Sequence, residues 1–149
     1  MAGTNTPRFQ RANYVVRDID KSLELYRDVL GFEVAFILDS PEDSYSYPVF
    51  EIDQSHSLRF AVLSAPGQPR VMALTEVPAE MPTVPFPRRA AIVIDVTEVD
   101  AVIEGARAAG CEVYEEEELV THDGRRGREV GIVDFDGNLV VIYNIPATN

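Results

Sequence analysis

The sequence predicts an α+β protein made of two βαβββ modules, and three observations support this prediction. A strand, an amphipathic helix and another strand follow one another twice, and Gly31-Phe-Glu-Val34 after the first helix resembles Gly110-Cys-Glu-Val113 after the second. A proline-rich stretch separates the two halves. With 149 residues, 46% of them apolar, the chain is long enough for one compact domain with a shared core.

The first module is predicted over residues 8–64. Its helix, residues 18–30, carries apolar side chains at helical spacing, with Asp18 as the N-cap and Gly31 as the left-handed residue that ends it. Runs rich in branched and aromatic residues, separated by turn residues, predict the strands. They cover residues 10–17, 31–34, 47–53 and 58–63.

Residues 65–89 are predicted to be an extended connector because they hold six of the ten prolines. The connector has room for a short edge strand at residues 70–76. The second module, residues 90–146, repeats the design with a helix from Thr97 to Ala109. Thr97 and Asp100 resemble a capping box, and Gly110 closes the helix. Its strands are predicted at residues 90–96, 110–113, 128–133 and 139–144.

Composition excludes several kinds of partner. The formal net charge of −12 disfavours nucleic acid and anionic membranes, because phosphate groups would be repelled, whereas it would attract a cationic ligand. No apolar run is long enough to cross a bilayer, and residues 1–10 lack the apolar centre of a secretory signal. The single cysteine, Cys111, fits a reducing compartment. We therefore expect a cytoplasmic protein.

Two segments resemble the vicinal oxygen chelate superfamily, which includes glyoxalases, extradiol dioxygenases and bleomycin resistance proteins. RANYVVRDIDKSLELYRDVLGF, residues 11–32, is similar to its opening module, and GREVGIVDFDGNLVVIY, residues 127–143, is similar to its closing hairpin. The resemblance implies that the two modules curl their sheets around one open cleft, commonly completed by a second subunit. A homodimer is therefore expected.

Metal-dependent members of that superfamily hold a divalent ion with one side chain from each of four cleft-facing strands. The resemblance places the first three positions at Arg11, Ala91 and Val141, and the fourth within residues 59–64. Arginine and aliphatic side chains offer no lone pair to a metal, and residues 59–64 hold no histidine, acid or cysteine. No metal and no other cofactor is therefore expected.

Side-chain alternation along the strands predicts which residues face the cleft. With Arg11 facing inward, alternate residues of the same strand follow it, and the other strands add aromatic and acidic side chains to a mostly apolar pocket. The predicted ligand-binding residues are Arg11, Asn13, Phe36, Tyr47, Phe60, Asp95, Val141 and Tyr143.

Several side chains carry alternative interpretations. Arg11 could hold an anionic group of a ligand or pair with an acid such as Asp95 or one of residues 115–118. His56 and His122 fall in predicted turns, which favours exposed loop histidines over ligands. Cys111 fits a small buried residue better than a nucleophile. The loop at residues 121–127 could close over a ligand or be a plain surface turn.

Two functions follow from these observations. The first is metal-independent binding of a small organic molecule, a cationic or aromatic drug or metabolite, in the manner of the bleomycin resistance proteins. The second is a cofactor-free isomerase or lyase that uses Arg11 or Tyr143 to stabilise an oxyanion, with Asp95, Glu51 or His56 as base. The sequence gives no acid and base at a defined spacing, which favours binding over catalysis.

Overall fold

The computed structural model describes residues 6, 8–82, 85 and 88–147, and its elements form two successive modules. The first contains β1 (Ala12–Val16), α1 (Ile19–Tyr26), β2 (Glu33–Asp39), α2 (Ser46–Val49), β3 (Arg59–Ala65) and β4 (Gln68–Glu76). The second contains β5 (Ala91–Asp95), α3 (Val99–Ala109), β6 (Glu112–Val113), β7 (Glu117–Val120), β8 (Arg126–Val133) and β9 (Leu139–Asn144).

The predicted α+β class with two repeated modules is confirmed. The first sheet has the strand order β1-β4-β3-β2, and the second has β5-β9-β8-β6 with β7 also paired to β8. In each sheet the first strand of the module, here called the opening strand, pairs in parallel with the last, here called the closing strand. These pairs are β1 with β4 and β5 with β9. Both opening strands are therefore edge strands, and each sheet repeats the pairing of the other.

Both long helices form at the predicted places, but their ends differ from the prediction. The Asp18 side chain caps α1 by accepting a hydrogen bond from the Lys21 N–H, as predicted. The helix ends at Tyr26 because the N–H groups of Asp28 and Leu30 bond to carbonyls five residues earlier, which widens the last turn.

The capping box predicted for α3 is absent. Glu98 is the N-cap of this helix, and its side chain makes no capping hydrogen bond. Gly110 takes the predicted left-handed conformation, with φ of 94°.

The predicted strand at residues 47–53 is wrong. The chain instead forms the short helix α2, in which the Phe50 N–H bonds to the Ser46 carbonyl. Pro48 explains the difference, because it has no N–H to give to a strand ladder and is tolerated in the first turn of a helix. The N–H of Ile52 then bonds to the Tyr47 carbonyl, which folds the segment back on itself.

Residues 65–89 are more than a connector, because β4 lies inside them. This strand is central and not an edge strand: Met72 is paired with Ala12 of β1 on one side and Leu63 of β3 on the other. Pro69 sits near the start of the strand, where a missing N–H is tolerated, and no proline follows it before Pro78. The first module therefore extends to Glu76.

The predicted loop at residues 121–127 is a turn of residues 121–125 in a hairpin of β7 and β8. Glu117–Val120 forms the strand β7, and β8 begins at Arg126, two residues before its predicted start. Arg128 ties this hairpin to α3 by donating to Asp100 at 2.7 Å, and it also binds Glu116. A tight turn remains, in which the Thr121 N–H bonds to the Arg125 carbonyl.

The two modules share one apolar core on the side of the sheets that carries α1 and α3. Val16, Ile19 and Tyr26 of the first module and Ile132 and Ile142 of the second are fully buried within it. The two modules pack tightly against each other at α3 and the residues that follow α1. A Cβ added at Gly105 of α3 would lie 3.1 Å from a methyl group of Val29, which follows α1.

The turn between β8 and β9 also joins the modules through hydrogen bonds. Asp134, which is 5% exposed, accepts a bond from the Tyr26 hydroxyl at 2.8 Å. Asp136 accepts one from the Arg17 N–H at 3.1 Å. These partners satisfy carboxylates that would be costly to bury alone.

Among the described residues, no helix is both apolar and long enough to cross a membrane.

Candidate functional site

Each sheet has an open face, defined here as the face turned away from α1 and α3. On the second sheet, Val140 and Ile142 of β9 are fully buried on the helix side, so Val141 and Tyr143 belong to the open face, as the predicted alternation requires. Strand pairing extends this face across the sheet in two rows. One row is Val93, Val141, Gly131 and Tyr114, and the next is Asp95, Tyr143, Glu129 and Glu117.

The open face of the first sheet carries the aromatic residues that alternation predicted. One row contains Asn13, Ala73, Val62 and Phe36, and the next contains Val15, Thr75, Phe60 and Leu38. The rings of Phe36 and Phe60 meet edge to face, with centroids 6.0 Å apart. Arg59 lies on the other face, where it donates to Glu76 at 3.0 Å.

Much of the first open face is covered by the chain itself. Val62 and Thr75 are 0% and 1% exposed although they belong to that face. A second apolar cluster forms there from Tyr47, Ile52, Leu58 and Val77, and Val15 of β1 packs against it. Tyr47 is 4% exposed and its hydroxyl donates to the His56 carbonyl at 2.6 Å. The structure therefore places Tyr47 in a core cluster and not on an open surface.

A cleft of about 870 Å³ lies between β1 and β5, the edge strands of the two sheets. It brings together three of the predicted ligand-binding residues, Asn13, Asp95 and Tyr143. The Asn13 carbonyl oxygen accepts a bond from the Thr75 hydroxyl at 2.9 Å, which orients the amide. Most of the remaining lining is apolar. It includes Phe9, Leu30, Phe32, Met72, Ile92 and Val93.

The other predicted residues lie outside this cleft. Arg11 is exposed before β1 and makes no ion pair with Asp95 or residues 115–118 among the residues that the structure describes. Phe36, Phe60 and Val141 lie on the open faces but do not line the cleft. The predicted pocket is thus divided between an open cleft and two sheet faces.

Two tyrosines near the site were not predicted as site residues. Tyr14 lines the cleft, and its hydroxyl accepts from the Ile92 N–H at 2.8 Å and donates to the Leu139 carbonyl at 2.6 Å. Burial raises the pKa of this hydroxyl, so it stays a donor.

Tyr114 covers Gly131 on the second open face, where a Cβ added to Gly131 would lie 2.5 Å from the Tyr114 ring. Alternation continued one residue beyond β6 could have placed Tyr114 on this face, but only tertiary contacts reveal the role of Tyr14.

The comparisons with known proteins agree with this architecture. The sequence model of the glyoxalase, bleomycin resistance protein and dioxygenase superfamily matches residues 8–142. The chain belongs to this superfamily. No curated protein matches the chain significantly.

Solved structures of superfamily members share the fold at low sequence identity. A glyoxalase family protein from Bacillus cereus is 17% identical, covers 99% of both chains and gives a TM-score of 0.73. The glyoxalase I of Leishmania major, described as trypanothione-dependent, is 23% identical over 93% of this chain and 87% of its own, with a TM-score of 0.62. The fosfomycin resistance protein FosX of Listeria monocytogenes, complexed with Mn(II) and sulfate, is 15% identical over 97% and 95%, with a TM-score of 0.62.

The structure corrects the fourth of the positions at which relatives would hold a metal. Val16 and Val96 each precede a helix, so Arg11 corresponds to Ala91 and Asn13 to Val93. Val141 of β9 pairs with Val93, and the equivalent pair in the first module is Ala73 of β4 with Asn13. The fourth position is therefore Ala73 and not a residue of β3, because the closing strand of the module is β4.

The side chains at these positions do not fit a divalent metal ion. Alanine and valine carry no donor atom, and the guanidinium of Arg11 repels a cation. Within residues 8–82 and 88–147, no three His, Cys, Asp or Glu side chains come close enough together to hold a metal ion.

Other chemically reactive groups lie away from the cleft. His56 lies beside the cluster around Tyr47, and His122 is exposed in the turn between β7 and β8. Cys111 is buried, and burial raises the pKa of its thiol to about 11, so the reactive thiolate is scarce at neutral pH.

Proposed function

We propose that the protein binds a small organic molecule in the cleft between β1 and β5 without using a metal. One observation carries the proposal: the four positions equivalent to the metal ligands of the superfamily hold Arg11, Ala73, Ala91 and Val141. A Lewis acid at these four positions, of which Ala91 alone lines the cleft, would receive no side-chain donor from them. Recognition then rests on shape, apolar contact and a few polar groups.

The cleft has the size and chemistry that such binding needs. Pockets for small ligands typically measure about 300–1,000 Å³ and combine apolar walls with a few polar groups. The volume of about 870 Å³ falls in this range. Asn13, Asp95 and Tyr143 supply hydrogen-bonding groups, while Ile92 and Val93 supply apolar surface. A ligand seated there would contact both modules at once.

Binding is better supported than catalysis by an isomerase or lyase. That alternative requires Arg11 or Tyr143 to act with a base close by. Arg11, Glu51 and His56 do not line the cleft, so Asp95 is the one proposed base that lines it together with Tyr143. This arrangement does not place an acid and a base on opposite sides of a reacting carbon.

The test combines metal analysis with a ligand screen. We expect purified protein to contain substoichiometric zinc, nickel, manganese and iron by mass spectrometry of the elements. We also expect compounds from a library of drugs and metabolites to raise the melting temperature, and the bound compound to be recovered unchanged. Val93→Trp should abolish the shifts by filling the cleft, since Val93 is 64% exposed there.

Val120→Trp is the matched control, because Val120 is 54% exposed on β7 and does not line the cleft. It should leave the shifts unchanged. Stoichiometric metal in the purified protein would overturn the metal-free proposal. Consumption of a compound well beyond one equivalent would replace binding with catalysis.

A further inference from the structure

The charge on the described side chains that line the cleft is negative. Asp95 is the side chain there that is charged at neutral pH, and no lysine, arginine or histidine of the described residues lines the cleft. The whole chain carries a net charge of −12, so its long-range field has the same sign as the cleft. An anionic ligand would meet no compensating charge inside.

Asp95 has no cationic partner among the described residues. Its side chain is exposed to the cleft, and neither a hydrogen bond nor an ion pair to its carboxylate is formed there. Two arginines of the second module are paired with other acids: Arg128 binds Asp100 and Glu116, and Arg125 binds Asp123. The carboxylate of Asp95 is therefore available to a ligand.

Tyr143 adds an aromatic ring beside this carboxylate. Strand pairing places Tyr143 between Asp95 of β5 and Glu129 of β8, at roughly 5 Å per strand. Both acids share the open face with Tyr143, and Glu129 likewise forms no ion pair within the described residues. A cation over an aromatic ring flanked by carboxylates is held by cation–π attraction and by charge.

The remaining surface of the cleft favours a ligand with an apolar body. Val93 is 64% exposed and Phe9 is 78% exposed, and both line the cleft. Their apolar surface is removed from water when an apolar ligand covers it. Charge and apolar area thus lie side by side in one cleft.

We infer that the cleft binds an organic cation, a compound with an apolar or aromatic body whose ammonium or amidinium group is received by Asp95 and Tyr143. This inference rests on the proposed binding function and names its ligand class. Asp95 is the specificity-determining residue: it selects a positive group over a neutral or negative group on the same body.

Three naphthalene compounds of nearly equal size test the inference. They are 1-naphthylmethylamine, a cation at pH 7, neutral 1-naphthylmethanol and the anion 1-naphthoate. Because the chain contains no tryptophan, naphthalene emission can be followed directly in a titration. We expect the amine to bind about three- to tenfold more tightly than the alcohol, with the carboxylate weakest, and the preference to shrink as salt is added.

Asp95→Asn should remove the preference, so that the amine binds no more tightly than the alcohol to this variant. Glu104→Gln makes the same change of net charge on the exposed surface of α3, outside the cleft, and should retain the preference. Tighter binding of the carboxylate, or the same preference in Asp95→Asn, overturns the inference. So does equal or undetectable binding of all three compounds, and the library screen with Val93→Trp then decides the proposed binding function separately.

Discussion

At the scale of single residues, the Tyr14 hydroxyl links the two modules beneath the cleft. It bonds to the Ile92 N–H at 2.8 Å and the Leu139 carbonyl at 2.6 Å. Tyr14→Phe leaves both backbone groups without this partner, so we expect the free energy of unfolding to fall by about 1–3 kcal/mol in urea denaturation.

Tyr45→Phe is the control for this prediction, because Tyr45 is 78% exposed and its hydroxyl bonds to none of the described residues. Its effect should stay within about 0.5 kcal/mol. If both variants unfold at the same urea concentration, the hydroxyl of Tyr14 does not stabilise the junction of the modules.

The thiol of Cys111 gives a second prediction at this scale. The side chain is 8% exposed, and burial raises its pKa to about 11. At pH 8 it should therefore be protonated and react with a disulfide reagent far more slowly in the native protein than in urea. Equal rates in both conditions would show that the thiol is accessible and ionised.

At the scale of elements, β4 provides the sharpest prediction. Ala73 lies in the middle of this strand and is paired with Asn13 on one side and Val62 on the other. Ala73→Pro removes an N–H from the centre of a sheet, which should cost on the order of 3 kcal/mol or more of stability, as measured by thermal unfolding.

Ala79→Pro should be tolerated, because Ala79 is exposed at the second position of a turn in which the Met81 N–H bonds to the Pro78 carbonyl. If Ala73→Pro melts at the temperature of Ala79→Pro, β4 is not a central strand in solution.

Strands and helices with a clear hydrophobic period could be predicted from the sequence, and β9 has the predicted bounds. The predictions failed where one local signal hid another. Six prolines at residues 65–89 indicated an extended connector with at most a short edge strand at residues 70–76, whereas β4 is a central strand with no proline between Arg70 and Glu76. The aromatic run around Tyr47 is typical of a strand, but Pro48 makes it helical.

The site could be predicted only in the part that alternation determines. Alternation predicts Asn13, Asp95 and Tyr143 on the inward faces of their strands, and all three line the cleft. Alternation does not indicate whether a face stays open. The burial of Tyr47 depends on how residues 40–58 fold back over the first sheet, and that depends on tertiary packing.

At the scale of the whole molecule, a homodimer stays a prediction from the family resemblance. Light scattering on the purified protein should give about twice the chain mass of 16.5 kDa at micromolar concentration. A mass near 16.5 kDa at all concentrations would contradict it, and the ligand would then be bound by one chain alone.

The junction between the modules should also give the molecule a characteristic pH dependence. Burial is the main cause that raises the pKa of the Asp136 carboxyl, and the nearby Asp134 raises it further. A carboxyl with a raised pKa binds protons more tightly in the folded than in the unfolded state. Its ionisation therefore opposes folding, and this loss of stability develops as pH rises from the ordinary aspartate pKa through the raised one.

Asp136→Asn keeps an oxygen that can accept the bond from the Arg17 N–H but removes the buried charge. We expect the variant to be more stable than the natural protein at pH 7 and to lose this advantage as pH falls towards 3.8, in urea denaturation at a series of pH values. Asp28→Asn should not be more stable than the natural protein at pH 7, because Arg27 lowers the pKa of that exposed carboxyl and its charge favours folding. Equal pH profiles for the two variants would mean that the Asp136 charge is not penalised at the junction of the modules.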